Sequence, residues 1–219
     1  GAGSNTLIRD NGVKGIVIKL GTGFAKINLV KDCMIEVGAA ALDRKISNFA
    51  AENNIGNLEF LACIPGTIGG AVIMNSGCYN NDISKVLISI TVINLNNLEE
   101  REIKRDDIKF FYRGSDLPQD FIISSVKLKG QIMPRETIEK KQSELIERKK
   151  LSQPSKIKTC GSTFKNIKDE KKAWKLIKES GCDKFQVGDA SISKTHCNFF
   201  VNNGKAKSID IENLINKVK

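Results

Sequence analysis

Short apolar runs rich in isoleucine and valine recur through the first part of the chain, at 15–21 (Gly-Ile-Val-Ile-Lys-Leu-Gly), 33–38, 87–95 and 121–128, each bounded by Gly, Asn or Asp. Such β-branched runs fit a pleated, half-buried surface and predict strands. Helical spacing is rarer here. Over 41–54, Leu42, Ile46, Phe49 and Ala50 fall near a 3.6-residue period before Asn53-Asn54 ends the run, which predicts a helix. Residues 134–151 open on Pro134 and are dense in Glu and Lys, the pattern of a solvated helix closing at Ser152-Gln153-Pro154. That stop is the expected domain boundary. It divides the chain into 1–133, a connecting helix over 134–153, and 154–219. Beyond it the pattern predicts a helix over 169–180, with Ala173, Leu176 and Ile177 inward and Gly181 as C-cap, then a strand over 198–203. A last helix starts at Ser208 as N-cap and carries Ile211, Leu214, Ile215 and Val218 on one face.

Composition narrows the class. With 219 residues, 40% apolar and 27% charged, the chain has the balance of a globular protein of one or two domains. No apolar run approaches the roughly 18 residues of a membrane span, and the opening lacks the charged-then-apolar order of a signal peptide, so no membrane partner and a cytoplasmic location are expected. The six cysteines stand at wide, irregular spacings and His196 is the single histidine, a pattern that predicts reduced thiols and no metal site. The net charge of +10 is unevenly spread: Lys and Arg number 15 against 14 Asp and Glu over 1–133, but 20 against 11 over 134–219. A basic second part fits a polyanionic ligand such as a nucleotide diphosphate, and a lysine-rich solvated surface accounts for it equally. No Arg-rich block or RNA-binding aromatic pattern points to nucleic acid.

Four segments carry candidate chemistry. Gly1-Ala2-Gly3-Ser4-Asn5 opens the chain, and glycines there let successive amides converge on an anion, although a cloning remnant has the same look. The stretch from Glu59 to Tyr79 holds Ile64-Pro65-Gly66-Thr67-Ile68-Gly69-Gly70 and Asn75-Ser76-Gly77, apolar surroundings in which backbone can press against a flat, phosphate-bearing cofactor or simply make a buried bend. Neither segment is the Gly-x-Gly-x-x-Gly of a dinucleotide-binding βαβ unit or a P-loop. Phe110-Phe111-Tyr112-Arg113-Gly114-Ser115 sets an arginine directly after three aromatics, where it is either a surface residue or partly desolvated and aimed at developing negative charge. Gly161-Ser162-Thr163-Phe164-Lys165-Asn166 places a serine after a glycine, as a turn or a site requires. With one histidine and no Gly-x-Ser-x-Gly, a serine-hydrolase triad is disfavoured.

Taken in this order, with Ser193-Lys194-Thr195-His196-Cys197-Asn198-Phe199 added, these segments resemble the UDP-N-acetylenolpyruvoylglucosamine reductase (MurB) family over nearly the whole chain. The resemblance implies an α+β protein: an FAD-binding lobe of the vanillyl-alcohol-oxidase (PCMH) type, then a small α+β substrate-binding domain. It implies FAD as cofactor, NADPH as co-substrate, a UDP-sugar as substrate, a monomeric state and a role in peptidoglycan precursor synthesis. The flavin-site positions carried over are Gly1, Gly3, Ser4, Asn5, Ile64, Pro65, Gly66, Thr67, Gly69, Gly70, Asn75 and Gly77. Arg113 and Ser162 match the catalytic arginine and the proton donor. Tyr112, Lys165, Asn166, His196 and Asn198 match substrate-binding positions, with Lys165 open between assisting Ser162 and holding phosphate.

Departures are local. Cys63 stands where the family usually has glycine, Cys78-Tyr79-Asn80 replaces Ala-Tyr-Gly, and Ile167 replaces a proline. The short span from Ser115 to Pro154 points to the compact subtype. The family continues beyond the position of Lys219 to a strand with a catalytic glutamate, and before that of Gly1, so the chain is expected to be part of a longer protein and its third catalytic residue is not named. Two other readings stay open: a UDP-sugar or flavin binder without turnover, and an FAD oxidase of the same broad fold.

Overall fold

Five antiparallel strands run in the order β1 (Ile27–Lys31), β2 (Met34–Gly38), β5 (Phe121–Lys129), β3 (Leu87–Asn94) and β4 (Glu100–Lys104). Strand register decides which side chains form the core: Val37 lies opposite Val126 and Val126 opposite Ile90, one buried row across three strands. Alternation puts Ile35 and Val37 inward, with Met34, Glu36 and Gly38 on the other face and only partly buried. In β5 the register shifts between Ile123 and Ser125, and that bulge lets Ile123 and Val126 share the buried side although three residues apart. Helices α1 (Asp43–Glu52) and α2 (Ile68–Ile73) add Ile46, Ala50, Ile68, Ala71 and Val72 to this core. The solvated helix α3 (Arg135–Ser152) buries only Ile138 and Gln142, one turn apart, and Gln142 Nε2 donates to the Ser47 carbonyl (2.9 Å) and hydroxyl (2.8 Å).

A second sheet runs β6 (Lys158–Ser162), β9 (Phe199–Asn202), β8 (Ala190–Ile192) and β7 (Gln186–Val187), again antiparallel. Its core joins Ala190, Ile192 and Phe200 to Ile177 of α4 (Ala173–Glu179) and Leu214 of α5 (Ser208–Val218). The computed structural model describes residues 1–31, 33–167 and 171–219. Its chain packs as two units, one of Gly1–Ala2 with Lys19–Glu147, the other of Gly3–Ile18 with Arg148–Lys219. Residues 3–18, which precede the first sheet in sequence, therefore pack with the second, and the division falls inside α3. The α+β class follows from both sheets and their helices.

Several expected elements are shifted or absent. Residues 15–21 pair with no strand, and Ile16 is 92% exposed; the strand before β2 is 27–31 instead. The polar β4, Glu-Arg-Glu-Ile-Lys, escapes an apolar pattern because it is an edge strand, where charge discourages further pairing. Leu42 and Leu176 face outward rather than inward. The expected helix 169–180 is observed from Ala173; residues 169 and 170 lie outside the described residues. Gly181 follows it in the left-handed region (φ 73°), as a helix stop requires. Ser208 is the first helical residue of α5, and its hydroxyl bonds Asp10 instead of capping its own helix.

Candidate functional site

The glycine-rich stretch in the first unit is stitched to the segment after β2. Gly66 O accepts the Asp43 N–H (3.2 Å), while the N–H groups of Ile68 and Gly69 donate to the carbonyls of Ala41 and Ala39 (3.0 Å each). A Cβ on Gly69 would lie 2.9 Å from Ala39 Cβ and 3.1 Å from its carbonyl oxygen, so only glycine permits this approach. Gly70 and Gly1 have a different character: a Cβ on either would meet nothing nearer than the Thr67 hydroxyl, at 4.0 and 3.7 Å. Two widely separated glycines thus flank one hydroxyl and leave a side-chain-free cradle around it. Ile64 leads into this turn in extended backbone, with Pro65 after it.

Beneath it, Asp43 is fully buried at the start of α1 and neither carboxylate oxygen has a hydrogen-bond partner. Burial raises its pKa to about 7, because a charge there has lost water without gaining a donor.

Three links bind the end of this stretch to the hairpin that carries Arg113. The Arg113 Nη2 donates to Gly77 O (2.8 Å), Ser115 Oγ donates to Ile73 O (3.0 Å), and Asn75 Nδ2 donates to Phe111 O (3.3 Å). Asn75 Oδ1 also accepts the Ser84 N–H (3.0 Å), so both ends of this amide bond the protein's own backbone. Phe110 pairs with Ser115 and Phe111 with Gly114, which makes Tyr112-Arg113 a two-residue turn with Arg113 at φ 59°. The guanidinium carbon stands 5.2 Å from the Tyr112 ring centroid. Gly77 has no room for a side chain, since a Cβ would fall 2.2 Å from Asn81 O. At 79–80, Tyr79 (φ 52°) and Asn80 (φ 67°) turn the next hairpin, where asparagine tolerates the left-handed conformation in which the family uses glycine.

In the second unit, Ser162 ends β6 opposite Phe199, after a register break that contains Gly161 at φ 86°. It lines a cavity of about 570 Å³ together with Asn5, Leu7, Lys158, Phe200, Ser208 and other residues. Asn198 is buried and brackets the loop after Ser162: its Oδ1 accepts the Phe164 N–H (2.9 Å), its Nδ2 donates to Phe164 O (2.8 Å), and its carbonyl accepts the Thr163 N–H (2.8 Å). His196 packs edge-on against Phe199 (4.9 Å between centroids), and its Nδ1 accepts the Asn198 N–H (3.2 Å). That bond makes Nε2 the protonated nitrogen of a neutral ring, and burial lowers the pKa. Asn166 Oδ1 accepts the Ala173 N–H (3.0 Å) at the start of α4. Lys165 is exposed.

Within the first unit the structure thus gathers Gly1, Thr67, Gly69 and Gly70, and joins Gly77 to Arg113. Gly3 (φ 73°), Ser4 and Asn5 are grouped with the second unit, whose cavity contains Asn5 and Ser162.

Two family models match the chain: an FAD binding domain over residues 1–97 and the C-terminal domain of UDP-N-acetylenolpyruvoylglucosamine reductase over residues 153–219. The enzyme of that name from Pelagibacter ubique (strain HTCC1062) is 48% identical over 221 residues, covering 100% of this chain and 73% of the relative. The chain belongs to the UDP-N-acetylenolpyruvoylglucosamine reductase family. The Wolbachia pipientis wMel member is 43% identical over 100% of this chain and 74% of its own length. The crystal structure of the Thermus caldophilus member (MurB) superposes with a TM-score of 0.90 at 35% identity, covering 99% of this chain and 78% of that one.

These residues are compatible with the flavin of this family: Gly1 and Gly70 are exposed with open space where a side chain would project, so nothing there obstructs a phosphate-bearing group, and the Thr67 hydroxyl beside them can donate to one. Among the described residues there is no group of three or more His, Cys, Asp or Glu able to hold a metal, and no helix is long and apolar enough to cross a membrane.

Asp43 carries no motif, and its only mark in the sequence is an acid placed on the face of α1 that also holds Ile46 and Ala50. Ser115 stands in the arginine motif, but its bond to the Ile73 carbonyl, 42 residues away, leaves no mark in the sequence.

Proposed function

We propose that this chain, as part of the full-length enzyme, reduces the enolpyruvyl ether of UDP-N-acetylglucosamine to UDP-N-acetylmuramate for peptidoglycan synthesis, with Arg113 and Ser162 as its catalytic residues. FAD, when bound, carries hydride from NADPH to the alkene of the sugar ether. Gly1, Thr67 and Gly70 would hold its phosphate-bearing part, and Gly69 fixes the turn that presents them.

Hydride delivery to the terminal alkene carbon leaves enolate-like charge on the side that bears the carboxylate. Arg113 stabilises that charge where it develops, and its guanidinium is set beforehand by the Gly77 carbonyl, so little reorganisation is needed at the moment of reaction. Ser162 then donates its hydroxyl proton to the neighbouring carbon. The Asn198 bracket supports this role by fixing the backbone immediately after Ser162, and Asn198 acts as a positioning residue rather than by touching substrate. Neutral His196 offers Nε2–H as a hydrogen-bond donor to substrate. Tyr112, Lys165 and Asn166 complete the sugar and phosphate contacts.

The first unit acts as the flavin lobe and the second as the substrate domain. The enzyme works as a cytoplasmic monomer on small molecules, without nucleic-acid or membrane partners. The observation that carries this reading is the attachment of the Arg113 hairpin to the glycine-rich stretch through three hydrogen bonds. The test is anaerobic addition of NADPH to the FAD-loaded full-length protein. Flavin absorbance should bleach and return only when the enolpyruvyl sugar is added; bleaching without return would leave a flavin binder that does not turn over.

A further inference from the structure

Three links hold the residues that follow Gly3-Ser4-Asn5 within the second unit. The Cys160 Sγ–H donates to Thr6 O (3.2 Å), and Arg9 Nε donates to Glu212 Oε1 (2.7 Å). The third link is reciprocal. The Asp10 N–H donates to Ser208 Oγ (2.9 Å), while the Asp10 carboxylate accepts the Ser208 N–H (3.1 Å) and the Ser208 hydroxyl (2.8 Å).

These links are unequal. Arg9 keeps 76% of its side chain in solvent, and exposed ion pairs contribute little. Asp10 is exposed too, but its link to Ser208 is made of several reciprocal bonds rather than one, and it falls at the first turn of α5, where backbone amides lack partners in their own helix and negative charge is favoured. Asp10 and Ser208 also line the cavity that holds Asn5 and Ser162.

We infer that Asp10 is a positioning residue: locked to Ser208, it fixes residues 3–10 so that the flavin contact at Asn5 and the hydroxyl of Ser162 are held by one framework. The strength of the flavin contact at Asn5 then depends on α5, within the same unit. The reason is preorganisation, since a segment ordered before binding does not have to be ordered by the ligand. This inference rests on the assignment of Gly3, Ser4 and Asn5 to the flavin.

FAD titration of the full-length apoprotein, followed by flavin fluorescence, tests it. Asp10→Ala and Ser208→Ala should each weaken FAD binding about ten-fold, and the double variant should fall short of the product of the two losses, because both remove the bond from the Ser208 hydroxyl to the Asp10 carboxylate while each also removes one bond the other keeps. Ser208→Thr, which keeps the hydroxyl, should bind within two-fold of wild type, as should Glu212→Ala. Wild-type affinity in Asp10→Ala and Ser208→Ala, alongside weakened binding in Asn5→Ala, overturns the inference and leaves the flavin assignment standing. Unchanged binding in Asn5→Ala instead removes the assignment beneath it. A multiplicative loss in the double variant, or a Ser208→Thr as weak as Ser208→Ala, also overturns it. Should Asp10→Ala fail to fold, the contrast between Ser208→Ala and Ser208→Thr decides the matter.

Discussion

The Arg113 guanidinium donates to the carbonyl of Gly77 at 2.8 Å, across 36 residues of sequence, and so ties the catalytic arginine to the end of the glycine-rich stretch. Orientation is one half of what a transition-state donor needs; charge is the other. Arg113→Lys keeps the charge but loses the planar fork that satisfies carbonyl and substrate together. It should leave flavin reduction by NADPH near wild type and slow sugar reduction by roughly 100-fold or more, the usual cost of removing one electrostatic donor. Separate stopped-flow measurement of the two half-reactions checks this.

Asp43 predicts a pH dependence of stability. Its native pKa of about 7 stands above the ordinary aspartate value of 3.8, so between these values the native state keeps a proton that the unfolded state has lost. Its contribution is most favourable below pH 3.8, falls as pH rises to about 7, and is level beyond, with a slope of roughly 1.4 kcal/mol per pH unit. Asp43→Asn should flatten that slope and give a higher melting temperature at pH 8 than wild type. Thermal melts at pH 5 and pH 8 measure it.

Asn198→Ala leaves the Phe164 N–H and carbonyl without their partner in a partly buried place. Each unmade bond costs about 1–3 kcal/mol, so denaturant unfolding should show a loss of that order or more. Turnover of the sugar should fall further than flavin reduction, since the displaced loop follows Ser162.

Gly69→Ala presses a methyl group against Ala39 at 2.9 Å. It should destabilise the protein by about 1–3 kcal/mol and weaken FAD retention, whereas Gly70→Ala, with open space at the same turn, should fold normally. Thermal shift of the apoprotein separates the two.

What the sequence made legible followed from local pattern. The apolar runs at 33–38, 87–95 and 121–128 are strands because alternation and β-branching act over a few residues, and α3 was visible in its charge density and flanking prolines. The apolar run at 15–21 misled, because a strand needs a neighbouring ladder and no local pattern supplies one. The edge strand β4 escaped for the opposite reason, its charges masking an extended backbone. At the site, glycine motifs and Arg113 were readable as types, but not the cradle at Thr67, the bonds from Arg113 and Ser115 to the Gly77 and Ile73 carbonyls, or the Asn198 bracket. Each of these joins residues 34 to 66 positions apart.

The most direct test of the account is single-turnover analysis of Ser162→Ala in the full-length, FAD-loaded enzyme. Bleaching of the flavin by NADPH should proceed at close to the wild-type rate, while its recovery on adding the enolpyruvyl sugar should be slowed at least 100-fold, within the range general-acid catalysis contributes. Equal slowing of both steps, or unimpaired recovery, would contradict the assignment of Ser162 as the proton donor.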